Sequence, residues 1–309
     1  MTTFSDGLYQ YGGVPTMTGL PFGPSSKYYF VNCALGNDGN DGDTPDGALA
    51  SLAEAEDRCV AERHDTVIWM PSDTSDSTAS TITWDKDHTH LIGTGAPFPG
   101  IGQRCRINST AAAPALTITA KGCIFKNFQV QNSYAGASGG VLVSGPYNYF
   151  ENVYFNGMNN ASSANKATSY CLTVSGAENF FRNCTIGSVQ LAMSSTNAPL
   201  IISNGANTFE GCRIQHYSET TGNFLVSLPA GTGGLSLILF DRCIFFNQSV
   251  NWAAGSTDVF NIAQTGSHYV LLRDEIMIGA TAWADVVTHV YHTTAAPATG
   301  GGIAIAVNA

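Results

Sequence analysis

Charge is scarce in this chain: Lys and Arg total 13 and Asp and Glu 23 among 309 residues, leaving a formal balance of −10. So few basic side chains give no electrostatic footprint for nucleic acid or an anionic membrane, and a net negative surface repels both. Long apolar runs are missing as well. No stretch approaches the roughly 18 consecutive residues that a membrane-spanning helix needs. The opening MTTFSDGLYQYGG has neither a basic nor an apolar segment, so no secretory signal is expected. No CxxC pair occurs among Cys33, Cys59, Cys105, Cys123, Cys171, Cys184, Cys212 and Cys243, and the histidine spacing of a zinc site is absent. Reduced, buried thiols are therefore expected, with no metal and no cofactor. No Gly-rich phosphate loop stands between a strand and a helix, and no Ser-His-Asp or Cys-His arrangement has useful local context.

Glycine and small polar residues are abundant, with 33 Gly against 44% hydrophobic residues, which suits a sheet protein with many turns rather than a disordered chain. The strongest signal is an internal repeat. Six segments align on one large apolar residue: FKNFQV at Phe125, FENVYF at Phe150, FRNCTI at Phe181, FEGCRI at Phe209, FDRCIF at Phe240 and LRDEIM at Leu272. The steps are 25, 31, 28, 31 and 32 residues, too uneven for a tight helical repeat but suited to a solenoid with loops of variable length. After each anchor comes a charge (Lys126, Glu151, Arg182, Glu210, Asp241, Arg273), then in three coils an asparagine (Asn127, Asn152, Asn183) that tolerates turn geometry. Inward positions then resume with period two, at Phe128/Val130, Val153/Phe155, Cys184/Ile186, Cys212/Ile214 and Cys243/Phe245. Between them Gln129, Tyr154, Thr185, Arg213 and Ile244 are expected to face outward.

A further short strand lies upstream in most coils (ALTIT, VLVS, CLTVS, LIIS, FLVS), and the terminal Ser144, Ser175, Ser203 and Ser227 of the last four are expected to stack. Like residues stack when parallel coils lie about 4.8 Å apart. The same logic makes ladders of Asn127, Asn152 and Asn183 and of Cys184, Cys212 and Cys243. The segments are rich in Val, Ile, Phe and Thr without a 3.6-residue period, which excludes a helical solenoid. The fold class expected is all-β, a right-handed parallel β-helix.

The stretch KYYFVNCALGNDGNDGDTPDGALASLAEAEDRC, followed by DTVIWMP and HLIGTG, resembles the opening of pectin-lyase-like β-helix proteins. The resemblance implies a first strand, a Gly/Asp/Asn loop and a short N-terminal capping helix near residues 48–63, with apolar Leu49, Leu52, Ala53, Ala55, Cys59 and Val60. It covers residues 27–280 and is specific for fold rather than function. The organisation expected is an extended arm at 1–27, the β-helix at 28–280 and a tail or closing strand at 281–309. The arm, with Phe4, Leu8, Tyr9, Tyr11, Leu20 and Phe22 among Gly and Pro, reads as a partner-binding segment. LYQYGGVP followed by a β-helix start is similar to proteins encoded among head genes of tailed phages.

The hydrolase signatures of the pectin-cleaving β-helix enzymes that the chain resembles (NTD, a paired DD, HG, RIK) are absent, so the family's chemistry is not carried over. Three other constellations stand out. Glu210 and Asp241 are carboxylates on adjacent coils, near the separation of a retaining glycosidase pair, although Arg182, Arg242 and Arg273 flank them. Gly36–Asp43 (GNDGNDGD) offers oxygen ligands for calcium but without EF-hand spacing, and reads as turn chemistry. His88 and His90 share a face if WDKDHTH is a strand, and read as a solvated edge rather than a metal site. The function expected from this reading is a non-enzymatic, homotrimeric decoration or cement protein on the capsid surface of a tailed-phage virion, with the major capsid protein as partner. The alternative is a tailspike-like protein that binds or depolymerises polysaccharide, such as a host surface glycan.

Overall fold

A computed structural model describes residues 25–95, 105–193, 198–218, 223–229, 236–249, 258–263, 268–280, 282–284 and 289–293, besides a two-rung pairing of Gln10–Tyr11 with Val14–Pro15. From Tyr28 onward the strands form three parallel sheets. Among the described residues sheet I has ten strands, sheet II seven and sheet III eight. The chain visits them in the order I, II, III in successive coils, as in Thr208–Glu210, Arg213–Ser218 and Phe224–Leu228. This is a parallel β-helix.

Register follows the repeat. Phe125, Phe150, Phe181, Phe209, Phe240 and Leu272 are paired neighbours across sheet I. All six are fully buried. The five rings form a stack with centroids 5.0, 4.6, 4.7 and 4.9 Å apart and planes within 13° of parallel. The coil spacing of a parallel sheet, about 4.8 Å, is also a good ring-stacking distance, so one residue type repeated on every coil fills the core without voids. Phe155 and Phe245 meet the stack edge-on from sheet II, and Phe260 meets it tilted from sheet III.

The cap helix, α1, spans Leu52–Arg58, shorter than the 48–63 expected. Ser51 caps it by accepting from the Glu54 N–H, and Glu54 pairs with Arg58 one turn on. Leu52, Ala55 and Cys59 face the core, whereas Ala53 and Val60 of the expected apolar stripe are exposed. Glu56 is buried in the cap and is matched by Lys86 at 2.8 Å.

Candidate functional site

The sharp bend between sheets I and II is made by one residue per coil with a left-handed backbone: Asn127, Asn152, Asn183, Gly211, Arg242 and Asp274, with φ between 51° and 62°. Asparagine and glycine enter this region at low cost, which accounts for four of the six. The asparagine amides line the outside of the corner. Asn127 Nδ2 donates to Gly93 O at 3.1 Å, and Asn152 Nδ2 donates to Asn127 Oδ1 at 3.2 Å. The column ends where Gly211 has no side chain. A Cβ there would lie 2.6 Å from Asn183 Oδ1.

At this notch lies a cleft of about 280 Å³, lined by Asn152, Asn183, Thr185, Gly211, Arg213 and Ile244 together with Cys184 and Cys212. Its size is near the lower bound of small-molecule sites, roughly 300 Å³. The lining offers amide, hydroxyl and guanidinium groups beside one apolar side chain.

The charged ladder borders this corner on sheet I. Lys126 pairs with Glu151 at 2.8 Å. Glu210 meets Arg242 at 2.7 Å and Arg182 at 3.9 Å, while Asp241 is held by Arg273 and lies 3.4 Å from Arg242. Hydrogen bonds from Arg273 keep the Asp241 carboxyl below the usual carboxylate range. Both carboxylates of the expected pair are thus engaged by guanidinium groups, and Asp241 is set against a general-acid role, which needs a proton at working pH. Arg213 differs from these arginines: it is exposed and pairs with no carboxylate among the described residues. On the same strands as the ladder, Tyr149 and Phe180 stack at 5.8 Å on the outer face of sheet I, with Lys126 Nζ 5.3 Å from the Tyr149 ring.

Several expected positions need correction. Gln129, Tyr154 and Thr185 do not stand in solvent but are only 6%, 4% and 2% exposed. Tyr154 donates to Asn156 Oδ1 at 2.8 Å, part of a polar row on this face in which Asn156 Nδ2 also donates to Gln131 Oε1 at 3.1 Å. Ser144, Ser175 and Ser203 follow the paired Val143, Val174 and Ile202. Ser227 does not join them, because it pairs with Ile201; its strand runs on to Leu228, burying Val226 and Leu228 on either side of it. His88 and His90 do not share a strand face, since His88 sits in a turn with φ 56°. Nor is His90 solvated: it is 1% exposed.

Cys184, Cys212 and Cys243 precede the paired Thr185, Arg213 and Ile244, so they form one buried column, and all eight cysteines are free thiols. In the Gly36–Asp43 loop Asp38 accepts from Ala50 N, Ser51 N and Ser51 Oγ. Among the described residues no group of three His, Cys, Asp or Glu is placed to hold a metal ion. Phe4, Leu8, Tyr9, Leu20 and Phe22 lie outside the described residues, and of Tyr11 only its backbone pairing is described.

The sequence reading missed a second asparagine ladder. Asn148, Asn179 and Asn207 are at most 1% exposed, at the bend between sheets III and I. Cys123 N donates to Asn148 Oδ1 at 2.8 Å, Asn148 N to Asn179 Oδ1 at 2.9 Å and Asn179 N to Asn207 Oδ1 at 2.9 Å. The signal was present in NYF, NFF and NTF, an asparagine two residues before each anchor.

No family model matches the chain, and no curated protein matches it. Solved structures do. Pectate lyase Pel9A superposes with a TM-score of 0.57 at 14% identity, over 91% of this chain and 73% of that one. Pectin methylesterase PemA from Erwinia chrysanthemi gives 0.53 at 14% identity, over 85% and 80%. Pectin methylesterase from carrot gives 0.51 at 12% identity, over 86% and 88%. At these identities the likeness establishes the fold, a pectin-lyase-like parallel β-helix. It also corrects the expectation of a chain that is no enzyme, because these neighbours are by name enzymes.

Proposed function

We propose that this rod acts on a polysaccharide, which it holds at the corner between sheets I and II. The cleft at Gly211 carries the reading. A sugar presents hydroxyls that need directional partners and C–H faces that need an apolar one, and the cleft supplies both through Asn183, Thr185, Arg213 and Ile244. Successive coils repeat the corner about every 4.8 Å, so a polymer of repeating units meets equivalent backbone positions along the rod. Tyr149 and Phe180 extend the surface with aromatic rings. Arg213, exposed and without a carboxylate partner among the described residues, favours a saccharide with an anionic substituent. The enzymes that share the fold are by name a pectate lyase and pectin methylesterases, which supports a carbohydrate polymer as substrate class.

Titration of the chain with a panel of neutral and acidic polysaccharides, with new reducing ends, released ester groups and unsaturated products assayed in parallel, tests the reading. Saturable binding that falls at least about tenfold in Arg213→Ala supports it, since loss of a charge-assisted contact is worth about 1.5–3 kcal/mol. Binding to none of the panel, or binding indifferent to Arg213, overturns it. In this proposal the rod is tailspike-like, meeting a host surface glycan. Association as a homotrimer, placement on a virion and contact with the major capsid protein are its further parts. Light scattering, proteomics of purified virions and co-sedimentation with capsids test them in turn.

A further inference from the structure

Near the cap, three imidazoles stand in a row. His64 and His90 are 5.5 Å apart between ring centroids, and His64 and His88 5.4 Å. His90 is buried at the lower end of sheet I and its hydrogen bonds fix its tautomer. Its Nδ1 accepts from the Ile124 N–H at 3.1 Å, so the ring proton sits on Nε2. Nε2 lies 3.2 Å from His64 Nδ1 and donates to it. His90 cannot take a second proton in place, because it would displace the Ile124 N–H.

His64 belongs to a loop, Val60–Asp65, under backbone strain. Glu62 and His64 have φ of 66° and 61°, and His88, against which the loop packs, has 56°. The same loop fastens the start of the rod. Asp65, with no exposed surface, accepts from Lys27 N at 2.8 Å and Val60 N at 2.8 Å, and is paired with Arg63. His90 N in turn donates to Asp65 O at 2.9 Å.

We propose that His90, hydrogen-bonded to His64, is an acid-sensitive latch, whose protonation frees the loop Val60–Asp65 and with it the start of the rod at Lys27. The surrounding charges do not cancel this. From the loop itself, Glu62 Oε2 lies 2.7 Å from His88 Nδ1, and Asp65 is satisfied by Arg63. From the turn below sheet I, Asp87 pairs with Lys121 at 3.3 Å and Lys86 with Glu56. From the next coil, Lys126 pairs with Glu151, and Cys123 is a buried thiol. Glu62 thus serves His88, and among the described residues no carboxylate is left to pair with a charged His90. Burial, and then the neighbouring His64, hold His90 down to about 3 from its ordinary 6.5. The open loop therefore binds protons that the closed one refuses. Each pH unit below the ordinary imidazole range shifts the balance toward opening by up to about tenfold.

Amide exchange of the full chain at pH 7 and pH 5, corrected for intrinsic rates, tests the latch. Protection of residues 60–65 should fall at least about tenfold at the lower pH while the ring stack stays protected. His90→Gln keeps both hydrogen bonds, its amide oxygen accepting from Ile124 and its amide nitrogen donating to His64, but it cannot titrate. It should hold the loop closed at both values. Equal protection of the wild type at the two pH values overturns the proposal, as does equal acid opening of His90→Gln. Should that variant fail to fold, nitrogen chemical shifts of wild-type His90 decide instead: a proton on Nδ1 rather than Nε2 at pH 7 contradicts the latch.

Discussion

Asn148 and Asn179 stand on consecutive coils, and the backbone N–H of the lower one donates to the side-chain oxygen of the upper at 2.9 Å. Asn148 Nδ2 donates down the rod and across the bend, to Ala120 O and Gly145 O, at 2.9 and 3.1 Å. A side chain here does the work of a strand's ladder at a bend where backbone groups cannot reach one another.

Replacing Asn148 or Asn207 by alanine is expected to cost about 1–3 kcal/mol each, since buried backbone groups lose their partners. The outer column behaves differently. Asn183 is exposed, so Asn183→Ala gives up less, chiefly the ease of the left-handed backbone. Denaturant midpoints of the three variants check this; a larger loss for Asn183→Ala than for Asn148→Ala contradicts the assignment of the two ladders.

How much of this was legible beforehand divides along a physical line. The anchor Phe181 announced itself, because a large apolar residue followed by a charge has one economical placement and the alternation after it fixes the register of sheet II. Asn152 was visible for the same reason, standing at the phase break between two alternating runs. Asn179 was passed over because its partners are backbone atoms one coil away, which no local pattern encodes. Ser227 misled because a loop of different length moved its strand by two residues, a choice made by the packing of Val226 and Leu228. The cleft was not legible at all: it is made by an absent side chain at Gly211, in a column whose shape is a property of neighbouring coils.

One buried group, His216, and one half-buried group, Glu275, are expected to set opposing pH dependences of stability. His216 is fully buried with neither ring nitrogen hydrogen-bonded, and burial lowers it from 6.5 to about 4. The unfolded chain takes the proton first, so this contribution is present above 6.5 and is lost as pH falls toward 4, on the order of 3 kcal/mol. Glu275 is raised by burial from 4.5 to about 8, so its contribution is present below 4.5 and is lost as pH rises through 8. Melting curves across this range should lose the acid-side decline in His216→Leu and the alkaline-side decline in Glu275→Gln. Unaltered profiles contradict both assignments.

The thiol column should be inert in the folded chain. Burial pushes Cys212 and Cys243 well above the ordinary thiol range, and their Sγ–H groups donate to Phe181 O and Phe209 O at 3.4 and 3.3 Å. A thiol reagent should modify none of Cys184, Cys212 and Cys243 before unfolding, and should find eight thiols in denaturant without reductant. Fewer than eight would reveal a disulfide.

Gly211→Asn tests the central claim most directly. Asparagine already occupies the equivalent left-handed corner at Asn127, Asn152 and Asn183, so the substitution continues the amide column and fills the notch once the exposed Asn183 amide turns aside from the new Cβ, with the backbone of the corner unchanged. Polysaccharide affinity of the wild type and this variant should be measured by calorimetric titration at equal ionic strength, beside their melting temperatures. The account predicts an unchanged melt and a loss of affinity of at least about tenfold, the value of one lost charge-assisted contact. Undiminished affinity in a variant that melts like the wild type would place the saccharide elsewhere on the rod and contradict it.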